Sequence, residues 1–361
     1  MASLFNLVGE MKKKTRKELQ ASLSLFALMQ DEIKKSKKEI DILSLGDDST
    51  PLVVKDVLST GLPNLDKILS RSADGRWGLP VGKIVSLKSK PSVGKTTFLL
   101  RVAEEALRRG GAAHIIESEH ALDLKYARKI CPSVDSFFIT QPDTLEDAFD
   151  AAKNALEICL KARTKDNNAP FVIVFDSFSG FSPAAELDGD FSTSGKAMGQ
   201  HARLASMACR KLTGMVAKAN AIMLLSHQTK SKIGVFWGST ETNIGGAAFD
   251  FHDSICLNLY RTTAIKDDKK RIAGHYGIIK TTKNKLYPPH REVKFKMVNG
   301  KGFSKAFAIL DYLIENRIVL KKGGWFHFKE DSSLKWQGAD GFNTFLKGSK
   351  KARSIAREAI K

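Results

Sequence analysis

GKIVSLKSKPSVGKTTFLL, Gly82 to Leu100, is the stretch that decides the fold. It starts as a short apolar run, passes through a loop ending Gly94-Lys95-Thr96, and continues with helical apolar spacing. Strand, loop, helix is the setting of a phosphate-gripping P-loop, whose pattern is G-x-x-x-x-G-K-[ST]. Ser89 stands where that pattern has its first glycine. Glycine there permits a tight turn, so Ser89 is expected to be strained if its φ must be positive. The loop comprises Ser89, Lys90, Pro91, Ser92, Val93, Gly94, Lys95, Thr96 and Thr97. Its backbone N–H groups and the helix N-terminus are expected to face the phosphates of a nucleotide. Lys95 then supplies a point charge to the outer phosphates, and the Thr96 hydroxyl ligates Mg²⁺.

Working outward, short apolar runs alternate with helical stretches. The runs are KIVSL, AAHIIES, SFFIT, FVIVFD, AIMLLSH, SICLNLY and HYGIIKTT; the helices include Thr97–Arg109 and Thr144–Ala162. Unbroken Val/Ile/Leu runs suit strands buried on both faces, so the class is α/β, with a mainly parallel central sheet flanked by helices. FVIVFD ends in Asp176, a carboxylate at the carboxyl edge of a parallel strand, where α/β sheets bind ligands and a Mg²⁺-bound water needs an acceptor. With the P-loop it reads as a Walker B aspartate and a second metal contact beside Thr96. HIIESEHALD brings Glu117 and Glu119 to a third strand end, on one face with Ser118 opposite. One of the two is expected to activate a water for attack on the γ-phosphate; outside this setting, both would read as a solvated acidic turn.

Composition bounds the alternatives. The 361 residues can build one large core with small appendages, and 42% hydrophobic with 27% charged residues is ordinary for a globular chain. The formal net charge is +19, from 58 Lys+Arg against 39 Asp+Glu, which points to a polyanion partner. A merely basic enzyme is the rival. Cys131, Cys159, Cys209 and Cys256 are far apart, with neither zinc-site pairs nor the density of a disulfide scaffold, and suit a reducing cytosol. No apolar run approaches the roughly 18 residues of a membrane span.

Residues 1 to about 40 read as a Lys-rich amphipathic helical region, either a partner-docking arm or a solvated cationic helix. Past VNGKG the pattern changes: SKAFAILDYLIENRIV is expected to be helical, GGWFHF a short hairpin strand, and NTFLKGSKKARSIAREAIK a basic helix. The expected organisation is an N-terminal basic helical arm over residues 1–50, an ATPase core over 51–298 and a small α+β domain over 299–361.

VLSTGLPNLDKIL, GLPVGKIVSL, ESEHALDLKYARKI, QPDT, FDSFSGFSPAAELDGD, MGQHARLASMACRKL, KIGVFWGSTETNIGGAAFDF and TKNK occur in this order, with GGWFHF and QGADGFNTFLK following. In order and spacing they resemble the bacterial RecA recombinase family from about Ile42 to Leu346, a likeness that accommodates a phage-encoded or otherwise divergent member. The resemblance implies a RecA-type P-loop ATPase core, ATP and Mg²⁺, and cytoplasmic residence in a bacterium or a phage-infected host. It also implies that Glu119 activates the hydrolytic water, that Asp123 and Tyr126 contact the adenine end, and that Gln228 senses the γ-phosphate. Lys283 and Lys285 of TKNK match a pair that reaches the phosphates bound by a neighbouring subunit; two residues apart, they share a face of an extended segment. A plain basic strand end is the alternative.

Two segments match the DNA-binding loops. The first, around ELDGDFSTSGKAMGQ with Met198, leads into a helix whose Arg203, Ser206 and Arg210 share a face at three- and four-residue steps. The second, TKSKIGVFWGSTETNIGG, is Gly-punctuated and rich in small polar residues, the composition of a segment that orders on binding. In it Lys230 and Lys232 match basic contacts, Ile233 a residue inserted between bases, and Gly245 and Gly246 close backbone approach. Phe236 and Trp237 either stack on bases or pack on the sheet. Three positions depart from the family pattern: Ser89, Asn299 where an aromatic ring flanks adenine, and Asp250 at a usually basic interface position. Many members carry an acidic tail; from the ending KKARSIAREAIK none is expected here.

The expected function is ATP-dependent homologous recombination and DNA repair: helical filaments on single-stranded DNA, pairing with duplex DNA, strand exchange, and ATP hydrolysis stimulated by DNA. Partners expected from the resemblance are a second copy of the chain, loader or mediator proteins and a single-strand-binding protein, with no membrane. Two rivals stand beside it: a filamentous DNA-binding module that uses ATP as a structural effector, and a RecA-fold hexameric motor such as a helicase, for which no arginine-finger motif is evident.

Overall fold

Val172, Ile173, Val174 and Phe175 show why the apolar runs carry no polar alternation. Val172 and Val174 pack into one core with Val85, Leu87, Phe98, Ile222 and Leu224. Ile173 and Phe175 point the other way, into a second core with Ile84, Phe149, Leu212, Met223 and Leu225. A strand covered on both faces must be apolar at every position. The protein is described by a computed structural model over residues 53–163, 169–187, 199–231, 241–243 and 248–360.

Ten strands form the central sheet among the described residues. In chain order they are β1 (Lys83–Ser89), β2 (Ala112–Glu117), β3 (Phe138–Thr140), β4 (Phe171–Asp176), β5 (Ala221–Ser231), β6 (Glu241–Asn243), β7 (Ile255–Lys266), β8 (Ile272–Asn284), β9 (Glu292–Val298) and β10 (Gly302–Phe303). The spatial order is β10-β9-β8-β7-β1-β5-β4-β2-β3, with β6 paired to β5. From β7 to β3 every neighbouring pair is parallel, whereas β7 to β10 run antiparallel. The helices α1 (Lys95–Arg108), α2 (Leu124–Ile130), α3 (Leu145–Ala162), α4 (Gln200–Lys218) and α5 (Ala248–His252) follow the strands. Helix α3 starts where Thr144 accepts a hydrogen bond from the Asp147 N–H, a side-chain cap for an otherwise unsatisfied donor. Asp267 shapes the turn after β7, accepting from the N–H groups of Lys269 and Arg271.

Beyond β10 come α6 (Lys305–Glu315), an antiparallel sheet of β11 (Val319–Lys322), β12 (Trp325–Phe328) and β13 (Lys335–Gln337), then α7 (Gly341–Gly348) and α8 (Lys350–Ile360). They share an apolar cluster built on Leu310, Leu313, Phe328, Trp336 and Phe342.

Three local readings are corrected. The helix expected through SKAFAILDYLIENRIV stops at Glu315, because the chain turns with Arg317 at φ 56° and Val319 enters β11. The basic C-terminal helix is two, broken at extended Ser349, whose hydroxyl accepts from the Ala352 N–H and caps α8. The run AIMLLSH is longer than read: β5 continues past Gln228 to Ser231, its last residues pairing with β6. The N-terminal arm lies outside the described residues, and among the described residues no helix is long and apolar enough to cross a membrane.

His227, one residue before Gln228, is buried with ring contacts to Phe178 at 5.3 Å and Phe249 at 6.2 Å. Burial pushes its pKa down to about 3, helped by the charges of Lys88, His201 and Lys95. The folded state therefore keeps His227 neutral where the unfolded chain binds a proton. Its contribution to stability is complete above the unfolded pKa of 6.5 and is lost as pH falls toward about 3, at up to ~1.4 kcal/mol per pH unit. Urea unfolding of parent and His227→Leu at about pH 7 and about pH 5 tests this: the parent is expected to lose ~2 kcal/mol more than the variant, and equal losses would contradict it.

Candidate active site

The P-loop answers the question posed by Ser89. Ser89 is the last residue of β1 and keeps strand backbone. The positive φ values of the loop fall on Ser92, at 61°, and on Gly94, at 109°, so the turn is made after Ser89 and no strain falls on it. Gly94 caps α1, and a Cβ there would lie 2.5 Å from Met297 Sδ. The Ser89 hydroxyl donates to the Lys90 carbonyl at 2.7 Å and accepts from Lys95 Nζ at 3.3 Å. Lys95 is buried under the loop and also donates to the Ser89 and Lys90 carbonyls. Burial lowers its pKa, against the attraction of Asp176 and Glu119. Val93 is buried, its carbonyl 3.2 Å from His275 Nε2, while Lys90, Pro91 and Ser92 are exposed.

Strand register sets the other groups around this loop. Ser89 pairs with Gln228 and Glu117 with Asp176, so β1, β5, β4 and β2 bring their polar ends to one edge. Asp176 Oδ2 accepts from Thr96 Oγ1 at 2.6 Å and its Oδ1 from Ser226 Oγ at 2.8 Å. Burial raises the Asp176 pKa, opposed by these two hydroxyls. A hydroxyl and a carboxylate side by side are oxygen donors suited to Mg²⁺, which takes most of its remaining ligands from phosphates and water. Among the described residues no cluster of three or more His, Cys, Asp or Glu could hold a metal by itself.

The two glutamates have parted roles. Glu117 is buried and turned inward, accepting from the N–H groups of Glu119 and Ala121 and from Gln141 Nε2. It therefore shapes the turn. Glu119, just past the strand, is exposed, and its Oε1 accepts from Gln228 Nε2 at 2.7 Å and from Ser177 Oγ at 3.1 Å. A cavity of about 230 Å³ is lined by Thr96, Glu117, Glu119, Asp123, Tyr126 and Asp176, among others. At its far end Asp123 caps α2 through the N–H groups of Lys125 and Tyr126, and the Tyr126 hydroxyl lies 3.4 Å from Thr97 Oγ1. Asn299 donates to the Ile272 carbonyl.

Lys283 and Lys285 are elsewhere. Lys283 pairs across the sheet with Cys256, which pairs with Ser86, and Lys285 feels the charge of Lys83 at the start of β1. The P-loop leaves the opposite end of β1 at Ser89, three residues beyond Ser86 and six beyond Lys83, or about 10 Å and 20 Å along the strand at 3.3 Å per residue. The pair is thus remote from the chain's own phosphate loop. Arg203, Ser206 and Arg210 all lie on α4, the arginines exposed and Ser206 half-buried. Met198, Lys232, Ile233, Phe236, Trp237, Gly245 and Gly246 lie outside the described residues, as do the side chains of Lys230 and Asp250.

Ser226, Ser177 and Gln141 are site residues that the motif reading missed. Ser226 had a usable signal: two residues before Gln228 on one strand, it faces the same side. Ser177 and Gln141 had none, because their partners Glu119 and Glu117 come from another strand.

A family model described as the RecA N-terminal domain matches residues 25–304. Protein RecA of Gluconobacter oxydans (strain 621H) is 40% identical over 297 residues, covering 82% of this chain and 81% of that protein. Protein RecA of Paramagnetospirillum magneticum (strain ATCC 700264 / AMB-1) is 36% identical over 332 residues, covering 92% and 85%. That of Cereibacter sphaeroides (strain ATCC 17029 / ATH 2.4.9) is 33% identical over 348 residues, covering 96% and 90%. With a family model spanning most of its length and relatives matched nearly end to end, this chain belongs to the RecA family.

Proposed function

We propose that the chain is a recombination and DNA-repair ATPase that assembles head to tail on single-stranded DNA and carries out homologous pairing and strand exchange. As a RecA-family protein it binds DNA, uses ATP with Mg²⁺ and hydrolyses ATP in a DNA-dependent way. The loop Ser89 to Thr97 holds the phosphates, with Thr96 and Asp176 as the protein ligands of Mg²⁺ and Asp123 and Tyr126 toward the base. The ion would neutralise charge between the outer phosphates. Glu119 orients the attacking water, and Lys283 and Lys285 serve the site of an adjoining copy, a reading supported by their distance from Lys95. Arg203, Ser206 and Arg210 follow the DNA backbone, with Met198, Lys230, Lys232, Ile233, Gly245 and Gly246 supplying the loop contacts. Bacterial cytoplasm, loader proteins and a single-strand-binding protein belong to the same reading.

The observation that carries it is the 2.7 Å bond from Gln228 to Glu119. Gln228 sits in β5 in register with Ser89, and the strand runs on to Ser231, the last residue before 232–240. One side chain therefore touches the hydrolytic carboxylate while its backbone leads into the DNA-contacting segment. A γ-phosphate that drew Gln228 away would release Glu119 and shift that segment together. Ser89 in ordinary strand backbone removes one motive for reading the site as a hydrolysis-poor effector pocket.

Self-assembly has a surface. The edge strand β3 exposes Phe138 (66%) and Ile139 (46%) beside Ile158 (67%) of α3, around a groove of about 740 Å³. Among the described residues β3 has no partner on its outer side; an unpaired apolar edge is a template for another chain, and a head-to-tail contact that does not close gives a helical filament.

Two measurements follow. Glu119→Gln is expected to lower DNA-stimulated turnover by about 10²-fold or more while nucleotide binding persists, whereas Lys95→Ala loses nucleotide binding; brisk turnover in Glu119→Gln would overturn the assignment. Ile139→Glu, at an exposed position that folding tolerates, is expected to abolish filaments in electron micrographs taken with ATP analogue and single-stranded DNA. Filaments of ordinary length would count against this edge as an assembly surface.

A further inference from the structure

Asp253 is the first residue after α5, its N–H donating to the Phe249 carbonyl at 2.8 Å. Its side chain is 0% exposed, and its Oδ1 lies 2.5 Å from Lys283 Nζ, whose own side chain is 28% exposed. The next lysine on that face, Lys285, donates from Nζ to the Phe251 carbonyl at 2.9 Å and from its backbone N–H to the Ser254 carbonyl. One short segment, Phe251 to Ser254, thus holds both lysines.

Two ammonium groups two residues apart repel, and burying a carboxylate beside them carries a desolvation cost that the pairing only offsets. A buried ion pair is weak evidence of a stability device, so its geometry needs another reason. The geometry has a direction: the wholly buried acid cannot reach a ligand, but the partly exposed Lys283 can. The Lys285 pKa is lowered by burial and by Lys283, with Asp253 opposing, so the carboxylate is the counter-charge that lets the two ammoniums share one place.

We infer that Asp253 is the positioning residue for the Lys283 and Lys285 pair, fixing where their ammonium groups stand for a phosphate to meet. The inference rests on the reading of those lysines as contacts to the triphosphate of an adjoining copy. Asp253 touches no substrate and acts through the lysines it holds.

The test compares Lys283→Gln, Asp253→Asn, Asp253→Glu and the double variant Asp253→Asn/Lys283→Gln in the full chain, by steady-state ATP hydrolysis with a single-stranded oligonucleotide. Lys283→Gln and Asp253→Asn are each expected to lower DNA-stimulated kcat by ~10-fold or more, with KM for ATP within ~3-fold of the parent. The double variant should be no slower than Lys283→Gln, because the two residues act as one unit. Asp253→Glu, which restores the charge, should recover turnover to within ~3-fold of the parent. Parental turnover in Asp253→Asn, or a double variant slowed by the product of the two single effects, overturns the inference. If Lys283→Gln itself turns over normally, the reading of the lysines falls and takes the inference with it; if Lys283→Gln is slow and Asp253→Asn is not, only the inference falls. Should Asp253→Asn fail to fold with Lys283 uncompensated, the double variant, in which both charges are gone, carries the same comparison: equality with Lys283→Gln supports the coupling and a further drop refutes it.

Discussion

The register of the parallel strands is the constraint from which the site follows. With Ser89 opposite Gln228 and Glu117 opposite Asp176, the carboxyl ends of β1, β5, β4 and β2 finish at one level. A slip of one residue would turn Asp176 into the core and Phe175 toward the phosphate loop. Register is held by the two apolar layers, which leave each strand no polar face to tolerate such a slip. The Thr96 to Asp176 and Gln228 to Glu119 hydrogen bonds are therefore products of core packing as much as of local chemistry.

The polar cluster is tense in electrostatic terms. Asp176 is a half-buried acid whose ionised form depends on two hydroxyl donors and nearby Lys95, and Lys95 is a buried base sustained by Asp176 and Glu119. Neither charge is well solvated, so a triphosphate arriving with a metal ion would replace marginal partners with strong ones. Lys95, now donating to carbonyls of its own loop at 3.4 and 3.5 Å, has long bonds to exchange. In the proposed reading Gln228 would likewise exchange one carboxylate for one phosphate oxygen. Such exchanges cost little, which suits a switch.

Much of this was legible in the residues. The unbroken runs announced a sheet covered on both faces, Gly94-Lys95-Thr96 announced the phosphate loop, and FVIVFD delivered Asp176 to its edge. Other features were hidden because they depend on contacts between distant segments. Nothing in HIIESEHALD says that Glu117 turns inward to Gln141 while Glu119 meets Gln228; that choice is made by neighbouring strands. Ser89 looked like a liability because the motif assigns the sharp turn to that position, while the backbone makes it at Ser92 and Gly94. The stretch NTFLKGSKKARSIAREAIK reads as one basic helix, and it is split where Ser349 turns extended and caps the second helix. The distance of Lys283 and Lys285 from Lys95 is likewise a matter of sheet order, since TKNK looks the same whether it serves its own site or a neighbour's.

The central claim is that triphosphate at the P-loop and DNA at the segment past Gln228 report to each other. By linkage, each must then tighten the binding of the other by the same factor. The most direct measurement is the affinity of the full chain for a fluorescent single-stranded oligonucleotide in three states: no nucleotide, ADP with Mg²⁺, and a non-hydrolysable ATP analogue with Mg²⁺. The account predicts that the analogue tightens binding by about tenfold or more over ADP, and that Gln228→Ala erases the difference while leaving nucleotide binding in place. Equal affinity in the three states would contradict it.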